Sequence, residues 1–189
     1  MSTALAKRSL TEMGFTGQRV RIRAVTEADL SRLLTWDQDP EISTLMGRRF
    51  TQTDMATWFR STQNNSQTRA FMIETLYGRV IGELELSQID WRSGTAELCI
   101  CIGEKDCWGQ GYGSESMELA FQAGFGAMGL KTIFLRVFEM NRRAVRLYER
   151  LGFKCRGILP ASSRRGDPSP VLLMDLSRER WLRSNQAMG

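Results

Sequence analysis

The feature that most constrains the fold of this chain is a glycine-rich turn at residues 109–113, Gly-Gln-Gly-Tyr-Gly. An apolar run at residues 98–102 precedes it, and apolar residues at helical spacing follow it from Met117 onward. Glycines at alternate positions allow a tight turn and a close approach of the backbone to a ligand. A helix N-terminus adds N–H groups without an intrahelical partner and the positive end of the helix dipole. We therefore predict a strand, a turn and a helix that together cradle a phosphate.

Two familiar phosphate cradles do not match this turn. A Walker loop ends in Gly-Lys-Ser/Thr, and that ending is missing here. The dinucleotide fingerprint is Gly-x-Gly-x-x-Gly, whereas the spacing here is Gly-x-Gly-x-Gly. The turn also follows several predicted strands and lies more than halfway along the chain. A glycine-rich turn alone does not specify a ligand, so the assignment depends on the residues around it.

The length of 189 residues suits a single domain with a full hydrophobic core. We predict this domain at residues 18–177, between an N-terminal tail at 1–17 and a C-terminal tail at 178–189. No apolar run approaches the roughly 20 residues that cross a membrane, and the first residues lack the apolar core of a signal peptide. The sequence therefore predicts no membrane partner and a cytoplasmic location.

The chain contains no histidine. Its absence excludes Ser-His-Asp and Cys-His catalysis and the histidine ligands of most catalytic zinc sites. A general base must then be a carboxylate, Tyr, Lys, Cys or water. The cysteines form no Cys-x-x-Cys pair, so we interpret them as small buried hydrophobes and predict no metal site. They are Cys99, Cys101, Cys107 and Cys155.

The formal net charge is +5, which suits nucleic acid, an acidic protein or a polyphosphate as partner. Charge alone does not choose among these partners. No motif with interleaved aromatic residues is present, so the sequence does not favour direct nucleic-acid binding.

Periodicity predicts a mixed α/β sheet in one domain. Residues 19–25 alternate as a strand whose arginines form either a solvated edge or a polar contact surface, and we prefer the solvated edge. Thr26 and Asp29 begin a helix as a capping pair, and further helical segments follow at 41–46 and from Thr53. Three strands, 69–75, 79–87 and 94–103, then form an antiparallel meander. After the turn come a helix to about 128, a strand at 131–139, a helix at 141–151, and strands at 153–159 and 171–176.

Two stretches resemble the GNAT superfamily of N-acetyltransferases. Residues 97–115 resemble its acetyl-CoA motif, and residues 141–153 resemble its second signature, Asn-x-x-Ala-x-x-x-Tyr-x-x-x-Gly-Phe. The pattern is most similar to the branch that acetylates ribosomal proteins at N-terminal alanine. One departure is Trp108, where many members carry Gln or Arg. The resemblance covers about residues 18–177 and implies the α/β GNAT fold, a single mixed, mostly antiparallel central sheet flanked by helices.

The resemblance also implies acetyl-CoA as co-substrate and no metal. In the family, the strand at 98–102 separates from its neighbour, so that its free backbone groups pair with the pantetheine arm and an N–H polarises the thioester carbonyl. Asn141 is either an N-cap or a neighbour of that arm, and both roles are compatible. The predicted cofactor-binding residues are Ile100, Cys101, Ile102, Trp108, Gly109, Gln110, Gly111, Tyr112, Gly113, Ser114 and Asn141.

Tyr148 lies on the inward stripe of its predicted helix. It is either a core aromatic or, by the resemblance, the general acid that protonates the departing thiolate. Glu97 shares a strand face with Cys99 and is the nominated general base, with Glu83 and Glu85 as alternatives. The arginines at 142, 146 and 150 form either a solvated face or a contact with the CoA 3′-phosphate.

The leading hypothesis is an acetyl-CoA-dependent N-acetyltransferase that acts by direct attack in a ternary complex. The acceptor is a primary amine, either a protein N-terminus or a small molecule, bound by residues 30–59 and the loop 160–170. The basic charge argues against polyamines unless an acidic cleft is present. The alternatives are a non-catalytic acyl-CoA-binding sensor and a basic nucleic-acid-binding domain. The sequence is compatible with a homodimer but does not decide the oligomeric state.

Overall fold

A computed structural model describes residues 14–47, 50–162 and 166–186. Within these residues the chain builds one mixed sheet, and each strand coincides with a stretch of alternating or continuous apolar residues. The strands are β1 (Phe15–Thr16), β2 (Val20–Ala24), β3 (Arg69–Thr75), β4 (Val80–Asp90), β5 (Thr95–Ile102), β6 (Thr132–Phe138), β7 (Lys154–Leu159) and β8 (Val171–Ser177). Their order in the sheet is β1-β2-β3-β4-β5-β6-β8-β7. The predicted single mixed, mostly antiparallel sheet is confirmed.

The helices cover both faces of this sheet. They are α1 (Leu30–Gln38), α2 (Pro40–Met46), α3 (Gln52–Asn64), α4 (Tyr112–Phe121), α5 (Arg142–Arg150) and α6 (Arg178–Gln186). Short 3-10 turns lie at Glu27–Asp29 and Lys105–Cys107, and a π-helical turn, Gln122–Ala127, continues α4. Among the helices of the described residues, none is both long and apolar enough to cross a lipid bilayer.

Alternate residues of β3, β4 and β5 pack in two separate hydrophobic cores, because successive side chains of a strand point to opposite faces. On one face, Leu98 packs in a large core with residues of α4 and α5, including Met117 and Tyr148. On the other face, Cys101 packs in a smaller core with residues of α1–α3, including Trp36. The sheet therefore separates α4 and α5 from the three early helices.

The middle of the sheet contains a gap. β4 and β5 pair antiparallel as far as Ile102, which faces Gly82. On the other side, β5 pairs with β6 in parallel only over three residues, from Thr95 to Glu97. Beyond Glu97 the register between these two strands ends, so residues 98–102 present one edge to the space between β5 and β6. The predicted separation of this strand from its neighbour is confirmed.

The predicted C-terminal tail is wrong for the described part of residues 178–189, because residues 178–186 form α6. The indole of Trp181 packs against Phe125 with ring centroids 5.4 Å apart, and its Nε1 donates to Glu118 Oε2 at 3.2 Å. Charged residues dominate α6, so its sequence lacks a clear apolar period. Of the predicted N-terminal tail, residues 1–13 lie outside the described residues, and Phe15–Thr16 pair with β2.

The arginines of β2 do not form the predicted solvated edge. Arg23 donates to both oxygens of Asp29 at 2.8 Å and through Nε to Glu74 at 2.9 Å. Arg21 also donates to Glu74, at 2.6 Å. Carboxylates of β3 and of the turn after β2 lie on the same face and pair with these arginines. The predicted capping pair is confirmed, since Thr26 N–H donates to Asp29 at 2.8 Å.

Candidate active site

A cavity of about 280 Å³ opens at the gap between β5 and β6. Its walls come from the open edge of β5, the facing part of β6, the glycine-rich turn with the residues just before it, α5 and α2. The predicted site residues that line it are Ile100, Cys101, Ile102, Trp108, Gly109, Gly111, Gly113, Ser114, Asn141 and Tyr148. Segments that are far apart in the sequence thus meet at one place, where the sheet supplies unpaired backbone.

The glycine-rich turn adopts a backbone that requires glycine. Gly109 and Gly111 have φ angles of 75° and 85°, a region that other residues enter only with strain. Gly111 is the N-cap of α4, and no side chain caps this helix end. The first N–H groups of α4 are therefore available to an anion, as helix N-termini typically are.

The carboxylate in the first turn of α4 points away from this cradle. Glu115 accepts from the backbone N–H groups of Arg19 at 2.7 Å and Val20 at 3.3 Å. Burial alone would raise the pKa of Glu115, but these N–H donors outweigh it and hold the pKa below its ordinary value. The Glu115 carboxylate thus connects α4 to the start of β2, and it does not occupy the N–H groups at the N-terminus of α4.

The open edge of β5 presents a defined set of backbone groups. Gly103 N–H donates to the carbonyl of Ile81 at 2.9 Å. Since hydrogen-bonded and non-bonded pairs alternate along an antiparallel ladder, the backbone groups of Cys101 face β4. Those of Ile100 and Ile102 face the gap, where a peptide-like ligand could pair with them.

Trp108 has a structural role that its position in the motif did not reveal. Its Nε1 donates to the carbonyl oxygen of Ile102 at 2.6 Å, so that this outward carbonyl already has a donor. The guanidinium of Arg143 lies 3.8 Å from the centroid of the indole ring, a distance typical of a cation–π contact. The indole therefore joins β5, the turn and α5 around the cavity.

Two further residues of the turn contact protein groups. The side-chain amide of Gln110 donates to the backbone carbonyl of Asp106. The guanidinium of Arg19 lies 4.8 Å from the ring centroid of Tyr112. Both contacts hold the turn against its surroundings, so the predicted binding contribution of Gln110 and Tyr112 rests on their backbone.

Asn141 begins α5 at the edge of the cavity. Its Oδ1 accepts from Ala144 N–H at 3.2 Å, which is the geometry of an N-cap. The predicted capping role is confirmed. Its place beside a pantetheine arm stays a prediction. The position of Asn141 in the cavity wall supports it.

Tyr148 lies in the cavity wall and is only 7% exposed. Its ring packs against Phe153 with centroids 5.8 Å apart. Burial raises the pKa of Tyr148 above its ordinary value, and the nearby Cys99 and Cys101 raise it further. The hydroxyl is therefore protonated at neutral pH and has a proton to donate.

Glu97 is held by three donors from neighbouring strands. Its carboxylate accepts from Arg136 Nε at 2.6 Å and Arg136 Nη2 at 2.9 Å, and also from the side-chain amide of Gln88. Arg136 lines the cavity, and Glu97 is only 8% exposed. Sequence reasoning missed Arg136 and Gln88, because no local pattern links them to Glu97.

The alternative carboxylate Glu85 lies directly across the strand pair from Cys99, a cavity residue. Its Oε2 accepts from Trp58 Nε1 at 2.7 Å. Trp58 belongs to α3, inside the segment predicted to form the acceptor site. From the same segment, α2 contributes apolar side chains to the cavity wall, namely Ile42, Leu45 and Met46.

The arginines of α5 divide between the cavity and the surface. Arg150 lines the cavity, whereas Arg142 lies 3.5 Å from Glu139 in an exposed ion pair. Arg143, which sequence reasoning did not single out, lines the cavity and stacks on Trp108. The i, i+4 spacing of arginines therefore predicts that α5 contributes arginines to the site, but it does not identify which of them line the cavity.

The cysteines are all free thiols. Cys101 and Cys107 are buried as predicted, Cys99 is partly buried, and Cys155 is exposed, so the prediction is wrong for Cys155. Its strand, β7, lies at the edge of the sheet, where one side is open. No cluster of acidic and thiol side chains that could hold a metal ion occurs within residues 14–47, 50–162 and 166–186.

Comparison with known proteins agrees with this geometry. An uncharacterized protein of Methanocaldococcus jannaschii is 28% identical over 139 residues, which cover 72% of this chain and 28% of that protein. The uncharacterized N-acetyltransferase p20 of Bacillus licheniformis is 28% identical over 150 residues, 75% of this chain and 83% of that protein. The first match thus spans little more than a quarter of its relative.

Spermidine acetyltransferases are also similar to this chain. Spermidine N(1)-acetyltransferase of Vibrio cholerae is 31% identical over 90 residues, 48% of this chain and 51% of that protein. The crystal structure of Vibrio cholerae spermidine N-acetyltransferase in complex with CoA and spermine matches with a TM-score of 0.79 at 23% identity. The match covers 86% of this chain and 98% of that one, and it shows a shared fold.

A family model matches most of the chain. The model described as "Acetyltransferase (GNAT) domain" matches residues 19–154. This range includes the glycine-rich turn, the open edge of β5, Asn141 and Tyr148. The chain belongs to the GNAT acetyltransferase family.

Proposed function

We propose that this protein is an N-acetyltransferase that moves the acetyl group of acetyl-CoA to a primary amine by direct attack in a ternary complex. One observation carries the proposal. The open edge of β5 at Ile100, the uncapped N-terminus of α4 and the hydroxyl-bearing Tyr148 belong to a single cavity. This combination suits a ligand that has a phosphate at one end and an amide-rich arm leading to a thioester.

The cavity offers separate partners to the two ends of such a ligand. The N–H groups of residues 112–114 suit the pyrophosphate of CoA. The outward backbone groups of Ile100 suit the amides of the pantetheine arm, in the manner of an added strand. An N–H group of this edge near the thioester carbonyl would stabilise the negative charge that develops on its oxygen.

Tyr148 is the proposed general acid. When the amine attacks the carbonyl carbon, the carbon–sulfur bond breaks and the thiolate takes a proton. Burial keeps the Tyr148 hydroxyl protonated by raising its pKa, and its place in the cavity wall favours delivery of that proton to the sulfur.

The base must remove a proton from the incoming ammonium group. The role predicted for Glu97 stays a prediction, and three hydrogen-bond donors already engage both of its carboxylate oxygens. Glu85 is the better candidate, because the hydrogen bond from Trp58 engages one of its oxygens and its strand neighbour Cys99 lines the cavity. We assign Glu85 as the base, acting directly or through water.

The acceptor enters from the side of α2 in this proposal. The names of the spermidine N-acetyltransferases suggest a polyamine, whereas the branch resemblance suggests a protein N-terminus. Among the described residues, the charged ones that line the cavity are Arg136, Arg143 and Arg150, and their positive charge favours a peptide amine over a polycation. A homodimer and a cytoplasmic location stay predictions.

The test is calorimetric titration with acetyl-CoA, followed by measurement of thiol release with peptides, spermidine and other small amines. We expect micromolar binding, about −8 kcal/mol, and thiol release with one class of amine. Tyr77→Phe serves as the control variant, because Tyr77 is fully exposed and should behave like the wild type. Binding without release on any amine would favour a non-catalytic sensor, and absence of binding would overturn both.

A further inference from the structure

The ion pair of Glu97 and Arg136 lies where the gap in the sheet begins. Glu97 is the last residue of β5 in register with β6, and it faces Phe134. Arg136 is two residues further along β6, on the same face as Phe134 because side chains alternate. Its guanidinium reaches back across the start of the gap and binds the carboxylate through two nitrogens, at 2.6 and 2.9 Å.

A third strand joins this pair through a strained residue. Gln88 has a φ of 50°, the one positive φ of a non-glycine residue among the described residues. It lies in the irregular stretch of β4 between Ser87 and Asp90, and its side-chain amide donates to the Glu97 carboxylate. A strained residue of this kind persists where its surroundings compensate the cost. Three strands are thus tied to one carboxylate.

Burial distinguishes this pair from an ordinary surface ion pair. The Glu97 side chain is 11% exposed, whereas Arg136 keeps about half of its side-chain surface at the cavity. A charge that is withdrawn from water depends strongly on its partners. The cross-strand pair Arg156–Asp175, at 2.8 Å on β7 and β8, is more open, with side-chain exposures of 57% and 23%.

We propose that Glu97 and Arg136 are positioning residues that hold β5 and β6 apart beyond residue 97. Two adjacent parallel strands gain hydrogen bonds by pairing further, and such pairing would cover the outward groups of Ile100. If the parallel register continued, Arg136 would face Cys99, but its guanidinium is bound to Glu97, at the last paired position, and so favours the separated arrangement. Arg136 thereby keeps the edge of β5 open to a ligand without contacting the reacting atoms.

This inference rests on the proposed function and assigns Glu97 a role other than proton transfer. The test compares Glu97→Gln, Arg136→Gln and the double variant, with Arg156→Gln as the matched control. We expect each single variant to raise the Kd and KM for acetyl-CoA about tenfold, with a much smaller change in kcat. The double variant should resemble the single variants, because residues that act as one unit are not additive.

The pH profile separates positioning from catalysis. If Glu97 were the base, Glu97→Gln would remove the acidic limb of the kcat profile while Arg136→Gln retained it. Positioning predicts that both variants retain that limb. Arg136→Lys, which keeps the charge without the two-nitrogen contact, should recover only part of the affinity.

Amide hydrogen exchange supplies a readout that needs no turnover. We expect the amides of Ile100 and Ile102 to exchange more slowly in Arg136→Gln than in the wild type, because β6 then pairs with them. Exchange should be unchanged in Arg156→Gln. Unchanged exchange together with unchanged affinity in both site variants would overturn the proposal. A lack of acetyl transfer in every variant, with altered exchange and affinity, would instead overturn the proposed function alone.

Discussion

The indole Nε1 of Trp108 donates a hydrogen bond of 2.6 Å to the carbonyl oxygen of Ile102. This bond engages the Ile102 carbonyl at the end of the open β5 edge and leaves the Ile102 N–H and the backbone groups of Ile100 facing the cavity. A tryptophan thus replaces the polar side chain that many family members carry at this position. The indole fixes the end of the β5 edge.

Replacing Trp108 by Phe should therefore weaken both the protein and its ligand binding. The Ile102 carbonyl would lose its donor, and a hydrogen bond of this kind contributes about 0.5–1.5 kcal/mol. We expect the free energy of unfolding in urea to fall by about this amount and CoA affinity in calorimetry to fall about tenfold. Trp91→Phe is the control, since Trp91 donates to Ser66 at the surface. Equal effects of the two substitutions would contradict the role of Trp108.

Replacing Tyr148 by Phe should lower kcat about 100-fold or more, the contribution typical of a general acid. The Kd for acetyl-CoA should stay the same, because the phenyl ring keeps its packing against Phe153. Stopped-flow thiol release and calorimetry measure the two quantities separately. A kcat within about twofold of the wild type would remove Tyr148 as the acid.

Replacing Gly111 by Val should abolish CoA binding. A Cβ at Gly111 would lie in a left-handed backbone and 2.8 Å from a guanidinium nitrogen of Arg19. Gly129→Val is a matched control, because Gly129 has a φ of 70° and open space where its Cβ would lie. Both variants should lose about 1–2 kcal/mol of stability from strain, and only the first should fail to bind. Loss of binding in both would show that the effect is global.

Replacing Asp29 by Asn should alter the pH dependence of stability. Burial alone would raise the pKa of Asp29, but hydrogen bonds from Arg23 and Thr26 outweigh it and lower the pKa below its ordinary value. Its stabilising contribution is therefore complete above the unfolded pKa of about 4 and is lost as the pH falls through the folded pKa.

We expect Asp29→Asn to lower the free energy of unfolding at pH 7 by about 1–3 kcal/mol and to flatten its fall between about pH 5 and pH 2. Urea titrations across this range measure both effects. Glu179→Gln, in an exposed pair with Arg183, should change neither. If the free energy of unfolding of Asp29→Asn fell between about pH 5 and pH 2 as steeply as that of the wild type, the proposed role of Asp29 would be wrong.

Local patterns were sufficient to predict most of the fold. Strict alternation located β2 to β5, and the two family motifs located the cradle, Asn141 and Tyr148. These features are local in sequence, because turn geometry and side-chain alternation act over a few residues. The gap between β5 and β6 followed from the family resemblance alone.

Contacts between distant residues could not be predicted in this way. Glu97 and Arg136 are 39 positions apart, and neither residue shows locally that it will pair with the other. α6 is held by Trp181 on Phe125, although its own sequence is mostly charged. The sequence also predicts that the arginines of β2 are solvated, whereas in the structure Arg21 and Arg23 donate to Glu74 of β3. Tertiary packing decides all three cases.

The position of β8 in the sheet sets the order in which the protein can assemble. β8 lies between β6 and β7 and pairs with both, and Met174 faces Leu135 on one side and Cys155 on the other. β7 precedes β8 in the chain, so on the ribosome β7 emerges before the strand that carries it into the sheet. Until residues 171–177 arrive, β6 has a bare edge, and such edges invite pairing with other chains. Completion of the sheet therefore waits until residues 171–177 have been synthesised.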